Sequence, residues 1–346
     1  MKRIVVCGVQ TLFVRGGAEM HVDNLRRQLE SRGLIVDQVN LPYKDMPRIE
    51  ILKGFIAWRA LNLLEMHGNK IDMVIGTKFP SYAVNHPNKV VWLIHQHRQA
   101  YELYGTRYSD MHTRIDGKVF SRLVRWMDKS SLKNAKKVFT NSGNVSKRLL
   151  KYNNIQGEPL YHPPKLHQLF RNDGHGDYIL AVGRMEPIKR VDLIVRAMAY
   201  SSSGVRCVIV GDGLQLAELK ALASQLGLDG RVTFAGNVSD CDLVDLYAGC
   251  AGVIYPPYDE DYGYVTVEAF LSRKPVITTD DSGGTLEFVK DQVTGYISPP
   301  DPQALGAYID EVYCRKDMSA SMGEAGYEVV KDISWDNVLD RLTETL

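Results

Sequence analysis

The first half of the chain alternates short apolar runs with longer stretches of helical spacing. Runs of β-branched residues are typical of buried parallel strands, whereas apolar positions three and four residues apart indicate helices. Strands are predicted for RIVVCGV, LIVDQVNL, IDMVIGT, NKVVWLIH and KKVFTNS. Helices are predicted for residues 20–33, 51–66 and 117–134. This order of elements predicts an α/β fold with a parallel sheet.

A second alternating series begins after residues 158–177, where Pro, Gly, Asn and Asp interrupt both patterns. Its predicted strands are YILAVGR, VRCVIVGDG, RVTFAGNV, CAGVIYPP, KPVITTD and TGYISP. Its predicted helices are KRVDLIVRAMAY, LQLAELKALASQLG, SDCDLVDLYAG and YVTVEAFLSR. The sequence therefore predicts two doubly wound Rossmann-like domains, 1–168 and 169–330, and a closing amphipathic helix in 331–346. Ligands of such sheets bind at the carboxyl ends of the strands.

Length and composition fit this two-domain interpretation, with 346 residues of which 45% are hydrophobic and 24% charged. No apolar run reaches the roughly 18 residues that cross a bilayer, and the apolar stretch at the start is too short for a signal peptide. The five cysteines are scattered without a CxxC pair, which is typical of a reducing compartment and argues against a zinc site or disulfide framework. We therefore expect a cytoplasmic protein.

Charge is divided unevenly between the halves. Up to Phe170 there are 27 Lys and Arg against 13 Asp and Glu, and the remainder has 15 against 28. Residues 114–151 alone contain eleven basic and two acidic side chains. Such a basic stretch suits an anionic surface, either a phospholipid membrane or nucleic acid, and it equally suits a solvated helix face.

Glycine-rich turns follow several predicted strands. VRGGAE places Gly16 and Gly17 just before a helix, where backbone N–H groups can face an anion. GDG at 211–213 and SGGT at 282–285 occupy similar positions. None is a complete G-x-G-x-x-G fingerprint with a distant acidic residue, so each is open to interpretation as a tight turn or as a phosphate cradle.

Basic side chains also follow predicted strands. AVGRMEPIKRVDLI puts Arg184 at a strand end and Lys189 at the start of the next helix. Two cations at one sheet edge suit a diphosphate that leaves with negative charge, and surface ion pairs are the alternative. His95 ends the strand in WLIHQH, where it could bind a substrate hydroxyl or satisfy a local hydrogen bond, and its position favours it over His97.

The stretch PYDEDYGYVTVEAF contains Glu260 and Glu268, eight positions apart. On one helix this spacing would be about 12 Å of rise with the side chains roughly 80° apart, so the carboxylates could not share a site. Gly263 between them predicts a loop that holds Glu260, followed by a helix that begins near Tyr264 and carries Glu268.

In this order the motifs resemble the retaining nucleotide-sugar glycosyltransferases of family 4, also called group 1, which have the two-domain GT-B fold. The matching stretches are GGAEMHV, WLIHQH, VGRMEPIKRVD, VIVGDG, FAGNVSD, EDYGYVTVE as the E-x7-E element, KPVIT and SGGTLEFV. The resemblance covers essentially the whole chain. It implies two Rossmann-like domains facing a deep cleft, the first binding the acceptor and the second the donor, with the last helix returning to the first domain.

The resemblance also implies a role for each matching residue. The donor diphosphate would be bound by Arg184 and Lys189, the hydroxyls of the donor sugar by Glu260, and the ribose by Glu268. His95 would lie near the reacting end of the sugar, which completes the expected catalytic set with Arg184, Lys189 and Glu260. The expected donor-binding residues are Gly16, Gly17, Gly183, Gly211, Asn237, Val238, Gly263, Tyr264, Val265 and Glu268. Two positions depart from the family pattern: Tyr262 replaces a common phenylalanine and Arg190 a common glycine.

By this resemblance the protein would transfer a hexose with retention from GDP-mannose or a UDP-hexose to a sugar or lipid-linked acceptor in glycan or surface-polysaccharide biosynthesis. Front-face attack, with a leaving phosphate oxygen taking the proton, requires no side-chain base, and neither metal nor cofactor is expected. Residues 114–151, with Trp126, would face an anionic membrane. The alternatives are a nucleotide-sugar epimerase or another GT-B enzyme such as a phosphorylase. A nucleic-acid binder is disfavoured because no known module is recognisable.

Overall fold

The computed structural model describes residues 1–13 and 16–346. They divide into two compact units. The first unit combines Met1–His162 with Ser334–Leu346, and the second unit is Pro163–Ile333. The corresponding breaks expected from sequence fall after residues 168 and 330.

The first unit contains a six-stranded parallel sheet in the order β2-β1-β5-β6-β7-β8 and a separate antiparallel pair, β3-β4. Its strands are β1 (Arg3–Gln10), β2 (Ile35–Pro42), β3 (Glu65–Met66), β4 (Asn69–Lys70), β5 (Met73–Gly76), β6 (Lys89–Leu93), β7 (Lys137–Thr140) and β8 (Glu158–Pro159). Its first four helices are α1 (Gly17–Ser31), α2 (Ile49–Ala60), α3 (Ile115–Lys133) and α4 (Gly143–Asn153).

Alternate residues of β1 supply two different cores, one on each face of this sheet. Ile4 and Val6 pack into a cluster with Leu25 of α1, whereas Val5 and Cys7 pack into a cluster with Trp58 of α2. Successive side chains of a strand point to opposite faces, so a strand covered on both sides must be apolar at every position. The continuous run in RIVVCGV is the sequence signature of this double burial.

The second unit contains a six-stranded parallel sheet in the order β11-β10-β9-β12-β13-β14. Its strands are β9 (Tyr178–Val182), β10 (Arg206–Val210), β11 (Val232–Gly236), β12 (Gly252–Ile254), β13 (Val276–Thr279) and β14 (Gly295–Ser298). Its helices are α5 (Val191–Tyr200), α6 (Leu216–Gln225), α7 (Asp240–Gly249), α8 (Tyr264–Leu271), α9 (Pro302–Cys314) and α10 (Lys316–Val330). The predicted parallel α/β class is confirmed in both units.

The prediction of a helix over 51–66 is wrong at its end. Helix α2 stops at Ala60, Leu61 has an extended backbone, and residues 65–66 form strand β3. A turn at the positive-φ residues His67 and Gly68 then pairs β3 with β4, and this pairing satisfies backbone groups that a longer helix would have used. None of the helices within residues 1–13 and 16–346 is long and apolar enough to span a membrane.

The last helix, α11 (Trp335–Thr343), returns to the first unit, as the predicted fold requires. Ser334 caps its N-terminus by accepting a hydrogen bond from the Asn337 backbone. The Trp335 ring is stacked on His162 at 5.6 Å and meets the edge of Trp92 at 6.1 Å. The helix therefore completes the apolar cluster that also contains Ile4 and Val6.

Replacement of Trp335 by alanine is expected to destabilise the protein by about 3–5 kcal/mol, because a buried ring is removed and its cavity is left behind. Urea unfolding followed by circular dichroism measures this change. Trp126→Ala is the matched control, since that ring is 68% exposed and its removal should alter stability by about 0.5 kcal/mol or less. Equal destabilisation by the two changes would contradict the packing described for α11.

Candidate active site

The carboxyl ends of β9, β10 and β11 bring three of the predicted donor-binding segments to one edge of the second sheet. The Gly183 N–H donates to the Val210 carbonyl at 3.0 Å, and the Gly211 N–H donates to the Gly236 carbonyl at 2.8 Å. A Cβ atom on Gly211 would lie 2.1 Å from the Gly183 carbonyl oxygen, so no other residue fits there without a shift. Asn237 and Val238 directly follow β11, with Asn237 exposed and Val238 half-buried.

Lys189 and Glu260 form an ion pair in the second unit. The Lys189 ammonium lies 2.5 Å from a Glu260 carboxylate oxygen and 3.2 Å from the Tyr255 hydroxyl, to which it donates. Both charged side chains are largely buried, and Tyr255 is buried at the end of β12. Burial, together with the neighbouring Glu260 carboxylate, raises the pKa of Tyr255, so its hydroxyl remains a neutral partner.

The loop that carries Glu260 is hydrogen-bonded to the loop that follows β13. The Glu260 N–H donates to the Ser282 carbonyl at 3.2 Å, and the Gly284 N–H donates to the Glu260 carbonyl at 2.7 Å. A Cβ atom on Gly284 would lie 2.3 Å from the Asp261 carbonyl oxygen. The glycines of SGGT therefore permit close backbone approach beside Glu260.

Helix α8 begins at Tyr264, so Glu260 lies in the preceding loop and Glu268 lies on the helix. Gly263 is the N-cap residue with φ of +83°, a conformation that favours glycine. A Cβ atom there would also lie 2.8 Å from the Thr285 hydroxyl oxygen. Tyr264 and Val265 form the first turn of α8, with Val265 buried.

Glu268 accepts a hydrogen bond of 2.8 Å from the hydroxyl of Tyr247, which is buried on α7. Burial raises the pKa of Glu268 to about 7, and the Tyr247 hydrogen bond acts against that rise because it favours the charged form. The Glu268 carboxyl therefore ionises less readily than that of an exposed glutamate. Its orientation is fixed by a side chain on a different helix.

Arg184 follows β9 and pairs with Glu186 at 2.6 Å, and about half of its side chain is exposed. In this structure it therefore does not share the carboxylate that Lys189 uses. The two predicted phosphate-binding cations belong to the same connection after β9, yet each is paired with its own acidic neighbour.

The first sheet gathers the other predicted residues at its carboxyl edge. Gly16 is the N-cap of α1 and Gly17 its first residue, and the Gly16 N–H donates to the Glu19 carboxylate at 3.0 Å. Glu19 also accepts from Lys78, which follows β5, at 3.1 Å. His95 follows β6 and is half-buried, with Nδ1 2.7 Å from the Gln96 carbonyl oxygen. Neighbouring parallel strands β1, β5 and β6 thus position all three segments.

Three side chains of these edges, Lys78, Tyr247 and Tyr255, were not predicted from the sequence. Lys78 could have been found, because it directly follows the predicted strand IDMVIGT. That strand, β5, lies between strands β1 and β6 of the sheet. No comparable signal existed for Tyr247 or Tyr255. Both are aromatic residues within apolar segments, where a place in the core is the default expectation.

Comparison with known families identifies the second unit. Residues 164–329 match the model described as glycosyl transferases group 1. The second unit is a group 1 glycosyltransferase domain. The predicted resemblance is confirmed at this level, and the whole set of predicted donor-binding residues from Gly183 to Glu268 lies within the glycosyltransferase domain.

Curated relatives of this chain align over part of their length. The alpha-1,3/1,6-mannosyltransferase ALG2 of Mus musculus is 34% identical over 126 residues, which are 36% of this chain and 30% of the relative. The D-inositol 3-phosphate glycosyltransferase of Mycobacterium tuberculosis is 33% identical over 171 residues, which are 46% of this chain and 35% of the relative. The chain thus spans about a third of the length of the curated relatives it matches.

Solved structures of similar fold cover the entire chain. The sucrose-phosphate synthase of Thermosynechococcus elongatus superposes with a TM-score of 0.77 at 19% identity, covering 99% of this chain and 98% of that one. Anabaena Alr3699/HepE in complex with UDP and glucose superposes with a TM-score of 0.71 at 17% identity, covering 100% of this chain and 99% of that one. At these identities the likeness shows the fold, and it confirms the predicted GT-B class.

Replacement of Tyr247 by phenylalanine is expected to raise the pKa of Glu268 above about 7, because the charged carboxylate loses its hydrogen-bond donor. Carbon-13 NMR of labelled glutamate carboxyl groups, assigned with Glu268→Gln, measures the titration. Tyr178→Phe is the control, since that hydroxyl donates to the Leu246 carbonyl instead. A pKa for Glu268 that is unchanged in Tyr247→Phe would contradict the contact.

Proposed function

We propose that the chain is a retaining glycosyltransferase that moves a hexose from a nucleoside-diphosphate sugar to a sugar or lipid-linked acceptor in glycan or surface-polysaccharide biosynthesis. The observation that carries this proposal is the Lys189–Glu260 pair at the carboxyl edge of a group 1 glycosyltransferase domain. A cation suited to phosphate and a carboxylate suited to sugar hydroxyls lie side by side there.

The donor candidates are GDP-mannose and a UDP-hexose. A mannosyltransferase among the relatives favours mannose, whereas a structural neighbour in complex with UDP and glucose favours a UDP-hexose. Backbone groups around Asn237 and Val238 would contact the base, and Glu268 would accept hydrogen bonds from the ribose. Gly183, Gly211 and the first turn of α8, from Gly263 to Val265, would approach the diphosphate and sugar.

Lys189 has the hydrogen-bonding capacity for such a donor. An ammonium has three N–H donors, and within the described part of the chain Glu260 and Tyr255 accept from two of them. The third can donate to a phosphate oxygen. Arg184 is half exposed and its surface ion pair with Glu186 is worth about 1 kcal/mol or less, so it can turn to the diphosphate at little cost.

Cleavage of the anomeric C–O bond leaves a diphosphate with developing negative charge and an oxocarbenium-like sugar. Two cations aimed at the leaving group stabilise that charge, so the proposed reaction proceeds without a metal ion or cofactor. The acceptor hydroxyl attacks the same face that the diphosphate leaves, and a leaving phosphate oxygen takes its proton. No side chain is assigned as a general base or a nucleophile. The roles of Gly16, Gly17 and His95 of the first unit stay predictions from the family resemblance.

Two variants separate the proposed roles of the ion pair. Lys189→Ala is expected to weaken nucleoside-diphosphate binding at least about tenfold, equal to about 1.4 kcal/mol, because a phosphate contact is lost. Glu260→Ala is expected to retain that binding but to lower the transfer rate about 100-fold or more, because the sugar is no longer held. A thermal-shift panel of GDP, UDP, ADP and TDP with their sugars measures binding, and nucleoside-diphosphate release measures transfer.

Lys220→Ala is the matched control, because Lys220 is an exposed lysine on α6 of the same unit. It should behave as the wild type, and excess EDTA should leave wild-type turnover unchanged. Near-normal transfer by Lys189→Ala or Glu260→Ala would contradict the roles above. Release of nucleoside diphosphate must also require an acceptor, since an epimerase would convert the donor without that release.

We also propose that the first unit binds an anionic membrane through the outward face of α3. Ile115, Val119 and Trp126 are 83%, 60% and 68% exposed, and they lie at helical spacing along this face. The exposed basic residues between and beyond them are Lys118, Arg122, Lys129 and Lys133. Apolar side chains with flanking lysines and arginines are the composition of helices that lie in a lipid headgroup region.

The acidic residues of α3 leave this face strongly basic. Asp128 is fully buried and accepts a hydrogen bond from Tyr101 at 2.7 Å, so its charge is directed inward. Asp116 is exposed and paired with both Arg48 and Arg114. Arg48 immediately precedes α2, where Ile49 and Ile56 are also exposed.

The double variant Arg122→Glu/Lys129→Glu is expected to weaken binding to phosphatidylserine-containing vesicles at least about 30-fold, because each basic residue near such a surface contributes about 1 kcal/mol. Sedimentation at low salt measures the bound fraction. The control Arg196→Glu/Lys220→Glu reverses two exposed charges in the second unit and should bind as the wild type. Equal wild-type sedimentation with neutral and anionic vesicles would contradict the membrane proposal.

A further inference from the structure

Arg190, the residue that departs from the glycine common in the family, has an unusual backbone. Its φ is +52° and ψ is 42°, which is the left-handed conformation, and it lies between Lys189 and the first residue of α5. Non-glycine residues are strained in this conformation. A glycine would adopt this conformation freely. Contacts of the arginine side chain must therefore compensate for the backbone strain.

The Arg190 side chain is buried, with 5% of the residue exposed, and each of its three guanidinium nitrogens makes a hydrogen bond. Nε donates to the Pro256 carbonyl at 2.8 Å, and one terminal nitrogen donates to the Pro257 carbonyl at 2.8 Å. The two terminal nitrogens of Arg190 each donate to one carboxylate oxygen of Asp281, at 2.6 and 2.9 Å. One of them also donates to the Thr279 hydroxyl at 2.8 Å. A bidentate arginine–carboxylate pair fixes both distance and orientation.

These partners belong to two different loops. Pro256 and Pro257 lie in the loop after β12 that leads to Glu260, whereas Thr279 and Asp281 lie at the end of β13 and in the loop that follows. The loops are joined further by the Asp259 N–H, which donates to the Asp281 carbonyl at 2.8 Å. The guanidinium therefore connects the segment that carries Glu260 to the segment on which it rests.

We propose that Arg190 is a positioning residue that holds Glu260 for the hexose of the donor, an inference that rests on the proposed function. Arg190 acts through the Pro256–Glu260 loop and does not touch the donor. Its removal should therefore affect the sugar end of the donor more than the nucleotide end. Glu268 on α8 and the Lys189 backbone keep their places, because a glycine at 190 accepts the same φ.

Arg190→Gly is expected to leave the affinity for the nucleoside diphosphate within about 3-fold of the wild type. It is expected to lower kcat with the nucleotide sugar about 100-fold, because a misplaced sugar-binding group slows the reaction. Amide hydrogen exchange of residues 258–262 should accelerate at least about tenfold, because the loop opens locally more often. Asp281→Asn, which removes the charge of the bidentate partner while retaining its size, should show the same pattern and serves if Arg190→Gly does not fold.

Arg231→Ala is the matched control. Arg231 donates to the Ser201 and Val205 carbonyls, which precede β10 at the opposite edge of the same sheet. It should lower stability without changing kcat or the exchange of residues 258–262. Unchanged kcat and unchanged exchange in both Arg190→Gly and Asp281→Asn would overturn the proposal. A wild type that binds no nucleotide would overturn the proposed function, and the exchange measurement would still decide whether Arg190 holds the loop.

Discussion

The candidate residues lie together at the carboxyl edge of each six-stranded sheet because the strands of each sheet pair in parallel. A parallel strand can be followed by another only after a crossover, so every loop that leaves a carboxyl end emerges at the same edge. Segments far apart in the sequence, such as Gly183, Gly211 and Glu260, are thereby brought to one side of the second sheet. The same rule places Gly17 and His95 at one side of the first. The chemistry of these edges then depends on the few side chains that fix the loops.

The charged groups of the second unit are held by contacts between different parts of the fold. Lys189 is held by Glu260 and Tyr255, and Glu268 is held by Tyr247. Each contact joins side chains from different elements, so the geometry of these groups is determined by the fold. The position of Glu268 also raises its pKa, because a carboxylate enclosed by the protein loses the water that stabilises its charge.

The sequence predicted those elements whose burial leaves a pattern. Strand β1 is apolar between its first and last residues and β9 is apolar throughout, and the E-x7-E stretch revealed a loop and a helix. Helix α4 was not predicted, because basic residues interrupt its apolar positions in GNVSKRLLKYN. Tyr247 and the Arg190 contacts could not be predicted either, since each depends on a partner 21 to 91 residues away that only the folded chain brings near.

The route of the chain through the first unit has a consequence for the synthesis of the protein on the ribosome. The cluster around Trp92 and His162 receives Trp335 and the rest of α11 only after the whole second unit has been translated. A ribosome adds about 5–20 residues per second, so the 171 residues of Pro163–Ile333 impose a delay of roughly 10–30 seconds. During that interval the part of the apolar cluster that α11 covers is exposed, although α1 already packs on the same face. Chaperone dependence during synthesis should therefore be concentrated on the amino-terminal half, although both halves have sheets of the same size.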